Sequence, residues 1–324
     1  MRMDKKEILI SVVIPVKNGE FWLAKLFNSL VKQTLFNQTE IIAIDSGSTD
    51  KSIEIINQYP VTLVQIPSSA FNHGETRNVG VRQAKGKYVV MTVQDAEPSS
   101  PLWLQHLVNG FINDDVAGVC GQQIVPHKKN NNPIEWFFPV NKPSIKSFYF
   151  KNIQDFEKLS VEEKNQICGW DDVTACYRRD ILLKLPFRNI NFAEDLQWAY
   201  DAIVAGYTIV YNSFAQVHHY HFMDKDFAFK RNLTVFYYRY KILGHLPKSV
   251  SMNLKQHLQL IYLLIKRDIS FGAKFSWWKH NIDCYLYTKK AYKVFTQSLK
   301  ISENNLDSTY QFICSTPPQS QSKN

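Results

Sequence analysis

Between residues 10 and 125 the chain repeats one pattern: a short apolar run rich in β-branched residues, then a stretch with helical periodicity. The runs ISVVIPV (10–16), EIIAID (40–45), VTLVQI (61–66), YVVMTV (88–93) and VAGVCGQQIV (116–125) do not alternate apolar with polar. Strands of that kind are covered on both faces. After the first run, Phe21, Leu23, Leu26, Phe27, Leu30 and Val31 recur at helical spacing. Such alternation builds a doubly wound, mostly parallel α/β sheet. In these sheets ligands sit just beyond the carboxyl ends of the strands, so the polar residues there are the first candidates for function.

With 324 residues, 45% hydrophobic and 21% charged, the chain has material for one large or two moderate folded domains. Its five cysteines are scattered and form no CxxC pair, which fits a reducing compartment better than a disulfide framework or a zinc site. In MRMDKKEILISVVIPV, Asp4 and Glu7 precede the apolar run and no small-residue cleavage site follows, so it reads as a first strand. LQLIYLLI at 258–265 is too short to span a bilayer, and a cytoplasmic location is expected. The net charge of +9 is unevenly spread, with fifteen Lys and Arg against four Asp in residues 222–300. On charge alone that segment suits nucleic acid and an anionic membrane surface equally. No RNP, KH or zinc-knuckle signature is present, so no nucleic-acid partner is expected.

Regularity loosens from about residue 126 to 166, which reads as an insertion or flap. It returns with DVTACYRRDILLKLPF (172–187), a helical AEDLQWAYDAIVAGY (193–207) and an extended TIVYNSFAQVHHYHF (208–222). The expected organisation is an α/β domain over 1–221, a basic, aromatic-rich helical region over 222–300 and a disordered tail over 301–324.

Strand one ends in Pro15-Val16-Lys17-Asn18-Gly19, strand two in Asp45-Ser46-Gly47-Ser48-Thr49-Asp50, and strand four in Gln94-Asp95-Ala96-Glu97-Pro98. One reading is local turn chemistry, with Ser48 or Thr49 capping the helix that starts near Lys51. The other places Asn18, Asp45 and Asp95 along one sheet edge, with Asp45 accepting hydrogen bonds from a base N–H. Neither GxGxxG nor GxxxxGK[ST] occurs, which disfavours Rossmann and P-loop sites. Arg77, one turn after His73, can offer a planar fork to a phosphate or form a surface ion pair. Glu194 and Asp195 read locally as an acidic first helical turn. In Val217-His218-His219-Tyr220-His221, an extended chain puts His219 and His221 on one face and His218 on the other.

SVVIPVKN, IIAIDSGSTD, FNHGETRNVG, the AKGKY before strand four and TVQDAEP together resemble family 2 glycosyltransferases of the GT-A fold. The variants DSGSTD, FNHG-x-TRN and QDA-x-P are most similar to the rhamnosyltransferase-like subgroup, and the resemblance runs from about Ile10 to His221. It implies inverting transfer of a sugar such as rhamnose from a nucleoside-diphosphate donor to a polysaccharide or glycolipid acceptor. A UDP-hexose donor and a catalytically silent nucleotide-binding scaffold stay open as alternatives. The resemblance further implies a donor site of Pro15, Asn18, Asp45, Ser46, Arg77, Gln94, Asp95 and Asp172. A divalent cation, Mn²⁺ or Mg²⁺, would be held by Asp95 with His219 or His221. Asp195 would be the base and Glu194 would orient hydroxyls; where the subgroup tends to have Asn, this chain has Asp172. The basic, aromatic C-terminal region then either meets the membrane that carries the acceptor or forms a helical core or homo-oligomer interface.

Overall fold

The computed structural model describes residues 7–125, 132–134, 142–220, 222–250 and 252–315. They fall into two units, residues 1–124 with 140–219, and residues 125–139 with 220–324.

In the first unit the predicted runs form β1 (Ile10–Val16), β2 (Thr39–Asp45), β3 (Val61–Gln65) and β4 (Tyr88–Thr92), linked by α1 (Leu23–Leu30), α2 (Ser52–Ile56) and α3 (His73–Gln83). There follow β5 (Glu97–Pro98), α4 (Trp103–Asn109), β6 (Val116–Ile124), β7 (Ile145–Phe148), α5 (Ile153–Glu157) and α6 (Val161–Ile167). The unit ends with β8 (Thr174–Arg178), α7 (Arg179–Lys184), α8 (Glu194–Val204) and β9 (Thr208–His218). Among the described residues the sheet order is β3-β2-β1-β4-β8-β6-β9-β5, with β7 also on β9.

β1 pairs parallel with β2 on one side and with β4 on the other. The winding therefore reverses at β1, and a crevice opens beyond the C-terminal ends of β1 and β4. β8 is antiparallel to both β4 and β6, which makes the second half of the sheet mixed. The reason is where the chain re-enters: Thr174, the first residue of β8, lies opposite Thr92, the last of β4. Asp171 and Asp172, just ahead of β8, are thereby brought to the ligand edge. Val12, Ile14, Leu26, Phe27, Leu30, Trp103 and Val119 fill the main core on one face. On the other, α3 lies so close to β1 that a Cβ on Gly80 would stand 2.3 Å from Val13 Cγ1.

The second unit holds α9 (Lys225–Leu243), α10 (Leu254–Ile265), α11 (Phe271–Ile301) and α12 (Glu303–Cys314). Leu233, Ala291, Phe295, Leu306 and Tyr310 form its core, with Phe229, Phe236, Tyr237, Tyr238 and Tyr240 packed on it. These aromatics are half-buried against that core. Tyr237 stacks on Tyr310 at 4.0 Å between ring centroids. Within the tail expected to be disordered from residue 301 onward, Glu303–Cys314 is helical. Leu306, Tyr310 and Cys314 recur every four residues and bury, and Ser302 accepts a hydrogen bond from Asn305 N to cap the helix. The polar Pro/Ser-rich end, from residue 316, lies outside the described residues.

Candidate active site

The loops after β1 and β2 are laced together. Asn18, in a left-handed conformation at φ 48°, donates its N–H to Ser48 Oγ at 2.8 Å and accepts from Thr49 N at 2.9 Å. Glu20 N donates to Asp50 Oδ2 at 3.0 Å, and Lys51 N to Glu20 Oε2 at 3.0 Å. Asp50 also accepts from Ser52 N at 2.9 Å, so it serves the start of α2 where Ser48 or Thr49 was expected to. Asp45 is fully buried, and its Oδ2 accepts from Gly47 N at 3.0 Å and Ser48 N at 3.1 Å. Its carboxylate shapes the turn that Gly47 completes at φ 80°. Ser46 Oγ donates to Val16 O at 3.0 Å, and Pro15 sits opposite Ile44 in the β1–β2 ladder. Lys17 Nζ donates to Ser46 O at 2.9 Å.

Gln94 bridges the crevice. Its Oε1 accepts from Lys17 N at 2.9 Å and its Nε2 donates to Lys17 O at 3.0 Å, fixing the end of β4 to the end of β1. Next to it, Asp95 Oδ1 lies 3.4 Å from His219 Nε2. His219 follows β9 directly and keeps to the β6 ladder by donating its N–H to Ile124 O at 3.1 Å. Its Nδ1 is 2.7 Å from Gln123 Oε1, and Gln123 Nε2 donates in turn to Asp171 Oδ2. A connected line of side chains thus runs from Asp95 to Asp171.

Asp172 starts the second cluster. The Arg77 Nε is 2.9 Å from Asp172 Oδ2 and its Nη1 is 2.6 Å from Glu194 Oε1, with all three side chains buried. Tyr177 donates its hydroxyl to Asp172 Oδ1 and accepts from Trp170 Nε1 at 2.7 Å. Burial opposes the charge on Arg77, yet Glu194, Asp172 and Asp195 outweigh it and hold its pKa above the ordinary value. Burial raises the Asp172 carboxyl, against the pull of Arg77 and with a further push from Glu194, to about 7. Asp195 is half-buried; its Oδ1 accepts from Leu196 N at 2.7 Å and its Oδ2 from Asp172 N at 3.4 Å. Burial first, then the charges of Glu194, Asp172 and Asp171, push its carboxyl well above the carboxylate range. Ala193, at the start of α8, presents this pair from a left-handed conformation, φ 61°, that non-glycine residues adopt at an energetic cost.

Set against the sequence, the structure gathers Asn18, Asp45, Ser46, Gln94, Asp95, Asp172, Glu194, Asp195 and His219 along the C-terminal edge of the strands or on the helix starts beside it. Arg77 is placed otherwise than for an open phosphate fork, because it is buried with its Nε facing Asp172 and its Nη1 facing Glu194. His221 lies outside the described residues. Sequence reasoning missed Gln123, inside a run that read as a covered strand, and Tyr177. Among the described residues no group of three or more His, Cys, Asp and Glu gathers as a metal cage. Asp95 and His219 nonetheless fit a divalent cation in kind: a carboxylate oxygen faces an imidazole nitrogen whose ring is held from behind by Gln123. Such a pair alone would hold a cation poorly, and phosphate oxygens and water would have to complete its shell.

The sequence profile described as glycosyl transferase family 2 matches residues 11–185. The O-antigen chain rhamnosyltransferase RfbN of Salmonella typhimurium is 32% identical over 218 residues, covering 65% of this chain and 66%, about two thirds, of the relative. A cholesterol galactosyltransferase of Borreliella burgdorferi is 26% identical over 311 residues, 93% of this chain and 80% of the relative. In fold, the mannosyltransferase PcManGT of Pyrobaculum calidifontis, solved with GDP-Man and Mn²⁺, aligns with a TM-score of 0.53 at 12% identity. That alignment covers 96% of this chain and 76% of the other.

Proposed function

Because the chain belongs to glycosyl transferase family 2 and has the GT-A fold, we propose that it performs an inverting sugar transfer. The donor is a nucleoside-diphosphate sugar, with rhamnose favoured by the likeness to RfbN. The acceptor is a polysaccharide or a glycolipid.

The observation that carries this reading is how the acidic cluster divides its work. Arg77 neutralises Glu194 and Asp172 in the interior. Asp195 reaches the surface, has no ion pair with a cation among the described residues, and is made more basic by burial and by its acidic neighbours. Such a carboxylate suits a general base. The acceptor oxygen forms the new bond to the anomeric carbon as the bond from that carbon to the diphosphate breaks, and the hydroxyl proton passes to Asp195. Glu194, fixed by Arg77, orients the helix start that carries Asp195. The laced loop from Ser46 to Asp50, shaped by Asp45, holds the nucleotide end of the donor with Asn18, while Gln94 keeps the β1 and β4 ends in register. Asp95 and His219 would hold a divalent cation, Mn²⁺ before Mg²⁺ given the imidazole, as the Mn²⁺ complex of the fold neighbour supports. When bound, that ion supplies positive charge opposite the leaving diphosphate.

A hexose donor is the second reading, favoured by the match to a galactosyltransferase over 93% of the chain. Nucleoside-diphosphate release from dTDP-rhamnose and from UDP-hexoses, measured with Mn²⁺, separates the two. Under the first reading dTDP-rhamnose is turned over, and Asp195→Asn slows release about 10²–10⁴-fold with the melting temperature maintained. Full activity in Asp195→Asn sinks the base assignment. Nucleotide binding with no turnover of any donor would mark a silent scaffold.

A further inference from the structure

The helical unit leaves one apolar stripe outside. Along α10, Leu254, Leu258, Ile261 and Ile265 are exposed at a spacing that places them on one helix face. The opposite face is the packed one: Leu260 and Leu264 are buried among Trp277, Trp278, Ile282 and Ile134. The stripe continues onto the first turns of α11, where Phe271 is 86% and Phe275 58% exposed. Lys274 Nζ donates to Ile265 O at 2.9 Å and ties the two helices together at this point. Scattered exposed apolar residues need no explanation, but a contiguous stripe continued from one helix to the next marks a surface that meets something.

Charge tells what it meets. Residues 246–280 carry six Lys and Arg against one acid, Asp268. Lys266 sits 4.5 Å from the ring centroid of the exposed Tyr262, so cation and aromatic share the same side of α10. A second copy of this chain offering the same face would set these cations against their equivalents, which opposes self-association. An anionic lipid surface complements both features at once. The apolar side chains enter the headgroup and acyl boundary, while the ammonium groups stay at phosphate level on stems that lie along it. No helix among the described residues is long and apolar enough to cross a membrane, so the attachment lies on the surface.

We propose that the outer face of α10 and the first turns of α11 dock this chain on an anionic membrane surface. The proposed transfer gives the docking its purpose, a lipid-held acceptor, but docking is measured without donor or acceptor. Full-length protein is sedimented with phosphatidylcholine vesicles and with vesicles containing phosphatidylglycerol. The expected result is binding to the anionic vesicles alone, weakened by salt. Leu258→Glu with Ile261→Glu lowers the partition coefficient at least about tenfold, with circular dichroism and donor turnover unchanged. Lys255→Ser with Lys266→Ser, both on the surface, lowers it roughly fivefold per cation. The proposal is overturned if wild type fails to sediment with anionic vesicles or if both double variants bind like wild type. It is equally overturned if the Glu variant converts a solution dimer to monomer. Lost docking with intact nucleotide release leaves the transferase reading standing, and docking without turnover of any donor removes that reading instead.

Discussion

Burial and Glu194 do most to make Asp195 hard to ionise, and Asp172 adds to them. The two aspartates are coupled through charge, and the Asp172 N–H also reaches Asp195 Oδ2 at 3.4 Å. Replacing Asp172 by Asn removes one negative neighbour, so Asp195 gives up its proton more readily and the acidic limb of kcat/KM moves to lower pH, by about one pH unit. A pH profile of wild type against Asp172→Asn measures this; an unmoved limb would detach Asp172 from the base. Gln123 acts further back, through His219. Gln123→Leu lets the imidazole turn, and the Mn²⁺ concentration for half-maximal turnover should rise about 10–100-fold, read from a metal titration in a chelator-buffered assay. The positions of Asp95 beyond a strand end and Asp195 at a helix start were legible in the sequence, because element ends are marked by turn and first-turn residues. Gln123 was not: the register between β6 and β9 shifts between Cys120 and Gln122, so alternation along the run does not say which way Gln123 points.

At the level of elements, α3 shows why a helix can be visible while its function is hidden. Its buried residues are Gly74, Thr76, Arg77, Asn78, Gly80 and Val81, nearly all polar or without side chain, so hydrophobic periodicity does not reveal the packed face. What holds α3 is specific bonding. Asn78 Nδ2 donates to Phe187 O at 2.9 Å and Asn78 Oδ1 accepts from Phe187 N at 3.1 Å, while Asn72 Nδ2 donates to Ile190 O at 3.1 Å. The FNHGETRN stretch thus fastens the segment leading into α8, which is how Arg77 comes to meet Glu194. A Cβ at Gly74 would stand 2.4 Å from Arg188 O, a backbone atom that cannot swing away. Gly74→Ala should therefore cost about 1–3 kcal/mol in urea unfolding, and lower turnover as Glu194 and Asp195 shift. Unchanged stability would mean that the 187–190 loop yields freely. The direction of β8 was equally illegible, since only its partner register shows that the chain returns from the ligand edge.

For the molecule as a whole, the division into two units was legible near residue 220 but not in the middle of the chain. Ile134 packs with Leu260 and Leu264, a long-range contact that leaves no local signal. The buried acids also give the first unit an unusual stability profile. Asp172 is raised from 3.8 to about 7, by burial more than by any charge, and Asp195 moves the same way. Both bind more protons folded than unfolded across the interval between those values. Their contribution is therefore full below about pH 4, declines through neutrality and is gone above the folded values. Asp50, Glu75 and Asp180 are lowered, so their contributions are present above about pH 4 and lost only in stronger acid. Between pH 5 and 8 the raised acids give the first unit a downward slope, while His280 of the second unit, held below its ordinary value by burial, gives an upward one. The melting temperature of the first unit's transition in the donor-free protein should fall as pH rises. For Asp172 alone the change over that interval is about 3 kcal/mol. Scanning calorimetry over that interval should show a flatter decline in Asp172→Asn, because the amide has no charge to expel. Parallel curves for the two proteins would mean that Arg77 already keeps Asp172 ionised throughout, and the raised basicity of Asp195 would then rest on burial and Glu194 together with an anionic Asp172.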